Sequence, residues 1–299
     1  KAEVNMMGFG GRTALVSGAA SGLGRAFAIG LAQRGASLAL LDIDSCKDTL
    51  NAISALGADA KAWHCDVANE QDVALVLQEA CDHFGTIELL VACAGIHTPC
   101  SFEKLTPQQW RRQLQVDLDG SFFLCHGLWS RMKAQEYGRI LLLGGVSGLF
   151  GDLFESAWAS AKMALFGLTN SLSREGGNHN IRVNSLYPLA TTPMTEQHLA
   201  LPVQPLFGLS APLAAGLFLL SEQAPNGQHL LAAAGSISRV RIAQTEPGYF
   251  NADACTPELL ARAWPELSVA TPLGFSDSGE AQIVNWARQA AAEHDIEIE

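Results

Sequence analysis

A short β-rich run, Thr13-Ala14-Leu15-Val16, leads directly into Ser17-Gly18-Ala19-Ala20-Ser21-Gly22-Leu23-Gly24-Arg25. A helix-like segment follows, with Leu23, Phe27 and Leu31 at i+4 spacing and Gly35 as its stop. Glycines between a strand and a helix permit a tight turn and a close approach of backbone to a phosphate. The helix N-terminus adds unpaired N–H groups and a field that favours an anion. Strand-like runs then recur at Ser37 to Leu41, Lys61 to Cys65, Ile87 to Cys93, Arg139 to Leu143, Ile181 to Tyr187 and His229 to Ala233. Helix-length segments separate them, for example the one carrying Val73, Leu77, Ala80 and Phe84 before Gly85. Each helix returns the chain to a parallel strand, so the class is α/β: a doubly wound, seven-stranded parallel sheet covered on both faces.

The chain's 299 residues suit one large α/β domain with an extension. We expect the domain over 6–234 and a C-terminal extension over 235–299 that packs on it. Thr256-Pro257-Glu258 marks a helix start in that extension, because Thr can cap and Pro can occupy the first helical position. Hydrophobic residues at 48% and charged residues at 16% exclude disordered and fibrous classes. Thirty acids against 19 Lys and Arg give a net charge of −11, which speaks against a grip on nucleic acid or an anionic membrane. The seven cysteines are scattered, with no C-x-x-C pair and no ligand-like cluster with histidine, so no metal site is expected. Free thiols and the lack of an apolar run near the ~20 residues of a membrane span point to a soluble cytoplasmic protein. The proline-interrupted stretch 188–209 is expected to cover a pocket.

Asp42 ends the second strand-like run, where a carboxylate can accept hydrogen bonds from an adenosine ribose and repel a 2′-phosphate; this favours NAD over NADP. With Asp42 in place, the loop from Ser17 to Gly24 resembles the T-G-x-x-x-G-x-G turn of the short-chain dehydrogenase/reductase family, with Ser17 for Thr. The resemblance continues through Cys65-Asp66-Val67, Ala92-Cys93-Ala94-Gly95-Ile96 and Arg182-Val183-Asn184, and covers residues 12 to 234. It implies a Rossmann-type sheet of order 3-2-1-4-5-6-7 and a dinucleotide held by Gly18, Ser21, Gly22, Leu23, Gly24, Asp42, Asp66, Val67, Ala94, Gly95 and Lys162. Pro188-Leu189-Ala190-Thr191-Thr192-Pro193-Met194-Thr195 and the tail around Thr256 are similar to the dehydrogenase domain of peroxisomal multifunctional β-oxidation enzymes. That likeness implies a small-molecule substrate of the 3-hydroxyacyl-CoA kind. It also implies a dimer or tetramer built on about residues 107–133 and 155–175.

Hydride transfer in the family uses a Tyr, a Lys four residues later, a Ser and an Asn. The i, i+4 spacing places phenol and cation on one helix face, where the cation lowers the phenol pKa. Here the motif reads Trp158-Ala159-Ser160-Ala161-Lys162, the serine position falls on Gly145, and the Asn position falls on Asp117. The indole N–H does not ionise in the working range of water and cannot exchange a proton as a phenol does. Lys162 and Asp117 are therefore the surviving catalytic positions of a degenerate tetrad, read first as a buried ion pair and second as a remade acid/base couple. Ser147 and Tyr137 lack the spacing to substitute. His97 follows the turn after the fourth strand and reads first as a surface histidine, second as a ligand neighbour. His64 reads as a satisfied strand edge.

Three functions remain open: an inactive subunit that acts with an intact dehydrogenase in a homo- or hetero-oligomer, an enzyme rewired around Asp117, Lys162 and His97, or a nucleotide-sensing regulator.

Overall fold

The structure is a computed structural model that describes residues 7–251, 255–271 and 273–291. It divides into two units, one ending at Val240 and one starting at Arg241. In the first, β1 (Thr13–Ser17) leads through α1 (Gly22–Ala32), β2 (Ser37–Asp42), α2 (Lys47–Ala55), β3 (Ala60–His64) and α3 (Glu70–Phe84) to β4 (Leu89–Ala92). The chain continues through α4 (Pro107–Leu114), a π-turn at Gln115–Asp119, α5 (Gly120–Ala134), β5 (Gly138–Leu143), α6 (Val146–Phe150) and α7 (Ser156–Gly176). It ends through β6 (Ile181–Leu189), α8 (Ser210–Leu220), β7 (His229–Ala233) and β8 (Ser236–Val240). The sheet order is β3-β2-β1-β4-β5-β6-β7-β8.

Seven of these strands are parallel in the expected order, and β8 adds an eighth that pairs antiparallel with β7. Residues Ala234 (φ 48°) and Gly235 (φ 77°) turn the chain back for it. The sequence reading stops the sheet one strand early because β8 is an exposed edge, and Ser236-Ile237-Ser238-Arg239-Val240 lacks the apolar run of a covered strand.

Alternate residues of the central strands feed two cores. Ala14, Val16, Leu38 and Leu40 pack with Phe27 and Leu31 of α1 and Leu217 and Leu220 of α8. Leu15, Ala39, Leu41 and Leu90 pack with Val73 and Leu77 of α3, Leu124 and Leu128 of α5 and Leu165 of α7. Each fully buried Leu of these cores contributes roughly 1.5–3 kcal/mol. Local signals set the helix starts: Asn69 accepts from the amides of Gln71 and Asp72, and Thr106 and Gln109 form a reciprocal cap ahead of Pro107.

A buried histidine makes this unit sensitive to acid. His229 on β7 is 4% exposed, stacks on Phe166 with ring centroids 3.5 Å apart, and bonds Ser185 Oγ (2.6 Å) and Asn170 Oδ1 (2.9 Å). Burial, aided by the charge of Arg239, pushes its pKa down from 6.5 to about 4. Between those values the unfolded chain binds a proton that the folded chain refuses, so stability is present above pH 6.5 and lost as pH falls toward 4. Urea unfolding should show about 2 kcal/mol less stability at pH 5 than at pH 7.5 from this group. His229→Gln should flatten the profile by that amount, and an unchanged slope would remove His229 as its source.

The second unit holds β9 (Gln244–Thr245), α9 (Pro257–Leu267), β10 (Leu273–Gly274) and α10 (Gly279–Ala291), with β9 and β10 antiparallel. Thr256 accepts from the Leu259 amide and Pro257 opens α9, as its sequence predicts. All seven cysteines are free, and among the described residues no helix is long and apolar enough to cross a membrane.

Candidate active site

The turn after β1 is shaped by contacts that leave no room for side chains. The Ser17 hydroxyl accepts from the amides of Cys93 (3.0 Å) and Ala94 (3.2 Å), which ties the ends of β1 and β4 together. Gly18 sits at φ +69°, and a Cβ there would lie 2.9 Å from the Ala94 Cα, so both backbone angle and packing require glycine. At Gly24 a Cβ would collide with the Gly18 carbonyl oxygen. The loop therefore lies flat against the start of α1, whose N-terminus no side chain caps. Asp42 is fixed beside it, one oxygen accepting from the Ala20 amide and the other from the Asp44 amide, both at 2.9 Å. Asp66 accepts from the Ala68 amide and pairs with Arg112 at 3.2 Å.

Gly18, Ser21, Gly22, Leu23, Gly24, Asp42, Asp66, Val67, Ala94, Gly95, Lys162 and Trp158 all line one crevice of about 360 Å³. Its opposite wall is the proline-interrupted stretch, through Pro188, Ala190, Thr192, Pro193, Met194 and Thr195. Arg112 also lines it, a residue that the sequence reading missed although it stands one helical turn before Val116 on the same wall.

Lys162 on α7 and Asp117 in the π-turn form a buried ion pair, Nζ to Oδ1 2.9 Å, with the residues 3% and 0% exposed. Lys162 also donates to the Leu143 carbonyl (3.1 Å) and lies 4.7 Å from the Trp158 ring centroid. The other Asp117 oxygen accepts from the Ile96 amide and the Gln113 amide group. Gln113 is at i−4 on the same face, a signal the sequence carries. Burial holds the Asp117 carboxyl above the usual range, while the Lys162 charge and these hydrogen bonds pull it down less strongly.

Gly145 is buried, and a Cβ built on it would stand 2.8 Å from Trp158 Nε1 and 3.1 Å from Lys162 Cγ. A Cβ on Gly144 would run into the ring of Tyr187, which is fully buried at the end of β6. Two aromatic rings thus fill the spaces beside two adjacent glycines. Only the first of them, Trp158, is anticipated from the Y-x-x-x-K spacing; Tyr187 comes from a strand about forty residues away. Ser147 lies in the first turn of α6 and does not line the crevice. Tyr137 stacks between Arg12 and Arg139 and donates to Glu222, apart from the crevice.

His97 is not the surface residue its sequence context suggests. Its side chain is 13% exposed, with Nε2 2.8 and 3.0 Å from the two oxygens of Glu155, itself 12% exposed. Its ring stands edge-on to Trp158 (centroids 5.0 Å apart) and to His198 (4.8 Å). The carboxylate that draws His97 inward lies 58 residues away, which no local pattern reveals.

The short chain dehydrogenase family model matches residues 12–200. A short-chain type dehydrogenase/reductase of Mycobacterium tuberculosis is 32% identical over 88% of this chain and 96% of its own. Peroxisomal multifunctional enzyme type 2 of Mus musculus is 32% identical over 92% of this chain, which spans 38% of the mouse protein. The peroxisomal hydratase-dehydrogenase-epimerase of Saccharomyces cerevisiae is 30% identical over 88% of this chain, which spans 30% of the yeast protein. Among solved structures, full-length peroxisomal multifunctional enzyme type 2 from Drosophila melanogaster superposes with a TM-score of 0.80 at 23% identity, over 96% of this chain and 50% of the other. Levodione reductase superposes with a TM-score of 0.72 at 27% identity, over 76% and 98%.

Proposed function

The chain belongs to the short-chain dehydrogenase family, and from that premise we propose that it is an NAD-binding subunit in which the family's proton relay has been dismantled. It works beside an intact dehydrogenase in a mixed or like-subunit oligomer, on small-molecule substrates of the hydroxyacyl-CoA kind. The observation that carries this reading is the contrast within one site. The crevice around the glycine loop is open, while Trp158 Nε1 occupies the space that a side chain on Gly145 would need.

The residues present fit a dinucleotide. Gly18 turns the loop at φ +69° where packing against Ala94 leaves no room for a Cβ, the uncapped start of α1 offers backbone N–H groups to a pyrophosphate, and Asp42 and Asp66 line the same crevice as candidates for adenosine hydroxyls and base edges. When bound, NAD would supply a hydride acceptor. Of this chain's own residues, Lys162 keeps a cation at the site, with Asp117 and the Leu143 carbonyl taking two of its three donors. No phenol or hydroxyl stands at the proper spacing to take an alcohol proton. The similarity to proteins named multifunctional enzyme and hydratase-dehydrogenase-epimerase supports the substrate class. The free cysteines support a reducing compartment such as the cytoplasm.

Calorimetric titration tests the nucleotide half of the reading. NAD should bind at least about tenfold more tightly than NADP, because Asp42 repels a 2′-phosphate, and Asp42→Ala should narrow the gap. Equal affinity for the two would remove the role given to Asp42, and no binding of either would leave only a scaffold. Co-purification from the native source should recover a chain with an intact Tyr-x-x-x-Lys motif.

A further inference from the structure

His97, Glu155 and His198 come from three parts of the chain that meet beside Trp158. His97 follows the turn after β4, Glu155 precedes α7, and His198 lies in the 3-10 turn Glu196–His198 of the crevice-covering stretch. That stretch is tied into one body. The Thr191 amide and hydroxyl donate to the carbonyls of Phe207 and Gln204 (2.7 Å each), and Gln204 Nε2 donates to the carbonyls of Glu196 (2.8 Å) and Leu199 (3.0 Å). Its inner edge, Thr192 to Thr195, forms a crevice wall, so the stretch and the wall move together.

The contact between the rings of His198 and His97 joins this body to the β4 edge. Glu155 holds His97 with both carboxylate oxygens, and among the described residues the buried His97 Nδ1 has no hydrogen-bond partner. From these contacts the geometry points to a proton-released clasp: His97, oriented by Glu155, holds the covering stretch through His198, and protonation of both imidazoles opens it.

The charges around the clasp set its direction. Glu155 offsets one positive charge, on His97. Lys162 on the far side of Trp158 is already neutralised by Asp117, and Glu196 on the outer turn is exposed. A second charge, on exposed His198, would then stand with its ring centroid 4.8 Å from that of His97, without a buried counter-ion of its own. Like charge on both rings opposes their contact, so acid loosens a clasp that holds at neutral pH.

The test uses amide hydrogen exchange of residues 191–207 in the ligand-free chain, corrected for the intrinsic effect of pH. Protection should fall on the order of fivefold from pH 7.5 to 5.5 in the wild type, the scale of two like charges about 5 Å apart in water. In His198→Gln, which stays neutral at that position, any remaining fall should be no more than acid takes from the whole fold through His229. Equal protection of the wild type at both pH values would overturn the clasp, as would a fall in His198→Gln as large as in the wild type. The consequence for ligands rests on the nucleotide reading above. NAD affinity should follow the same pH dependence, and a clasp that responds in a chain binding no dinucleotide would refute that reading while leaving the clasp intact.

Discussion

Placing a phenol and a hydroxyl together, by Trp158→Tyr and Gly145→Ser, is expected to raise NAD-dependent oxidation of 3-hydroxyacyl-CoA well above that of the wild-type chain. The two changes act on one oxygen and through one space. A serine Cβ would stand 2.8 Å from the Trp158 Nε1, so Gly145→Ser alone should cost about 1–3 kcal/mol of stability and yield no turnover. Trp158→Tyr alone removes that obstruction and sets a phenol one helical turn from Lys162, yet leaves the carbonyl with a single donor. Each missing donor is worth about 10²–10³ in rate, so the double variant should exceed either single one by at least about a hundredfold. Adding Asp117→Asn, which frees the Lys162 charge, should raise it further. Reduced-cofactor absorbance measures all of these. Wild-type turnover at ordinary enzyme rates, about 1–10³ per second, would show that another acid/base operates, with Asp117 and His97 the first positions to replace.

The second large effect concerns stability. Lys162→Met should cost about 3–5 kcal/mol in urea unfolding near neutral pH, because it strands a fully buried carboxylate. Asp117 already titrates above its ordinary range through burial, and without the cation it moves higher still. A carboxyl whose folded pKa exceeds its unfolded value stabilises at low pH and loses that contribution as pH rises. The Lys162→Met penalty should therefore shrink toward acid. A paired replacement, Lys162→Met with Asp117→Leu, should regain most of the loss, since two apolar side chains leave no charge unpaired. A Lys162→Met loss below about 1 kcal/mol would mean that water reaches Asp117.

What the sequence carries and what it hides separate along physical lines. The glycine loop, Asp42, Asp66, Ala94 and Gly95 are legible because each sits at the end of a strand whose apolar run announces it, and parallel topology brings those ends to one edge. Asp117 and Lys162 are legible only through the resemblance, which places the family's Asn on Asp117 and its Lys four residues after Trp158. Strand β8 is not, since an exposed edge needs no apolar run. Nor are the burial of His97 and the position of Tyr187, which depend on Glu155 and on the packing of a strand against Gly144. Side-chain partners separated by more than about forty residues leave no periodic trace.

The filling of Gly144 and Gly145 by neighbouring rings also orders the mutational history open to this chain. A side chain at position 145 costs stability while the indole at 158 keeps its size, and one at 144 runs into the ring at 187, whereas either aromatic can change while its glycine stays. The glycines therefore act as a ratchet. Of the two changes that would place a phenol and a hydroxyl at these positions, the less costly order takes Trp158 first, and a selection for alcohol oxidation should recover the changes in that order.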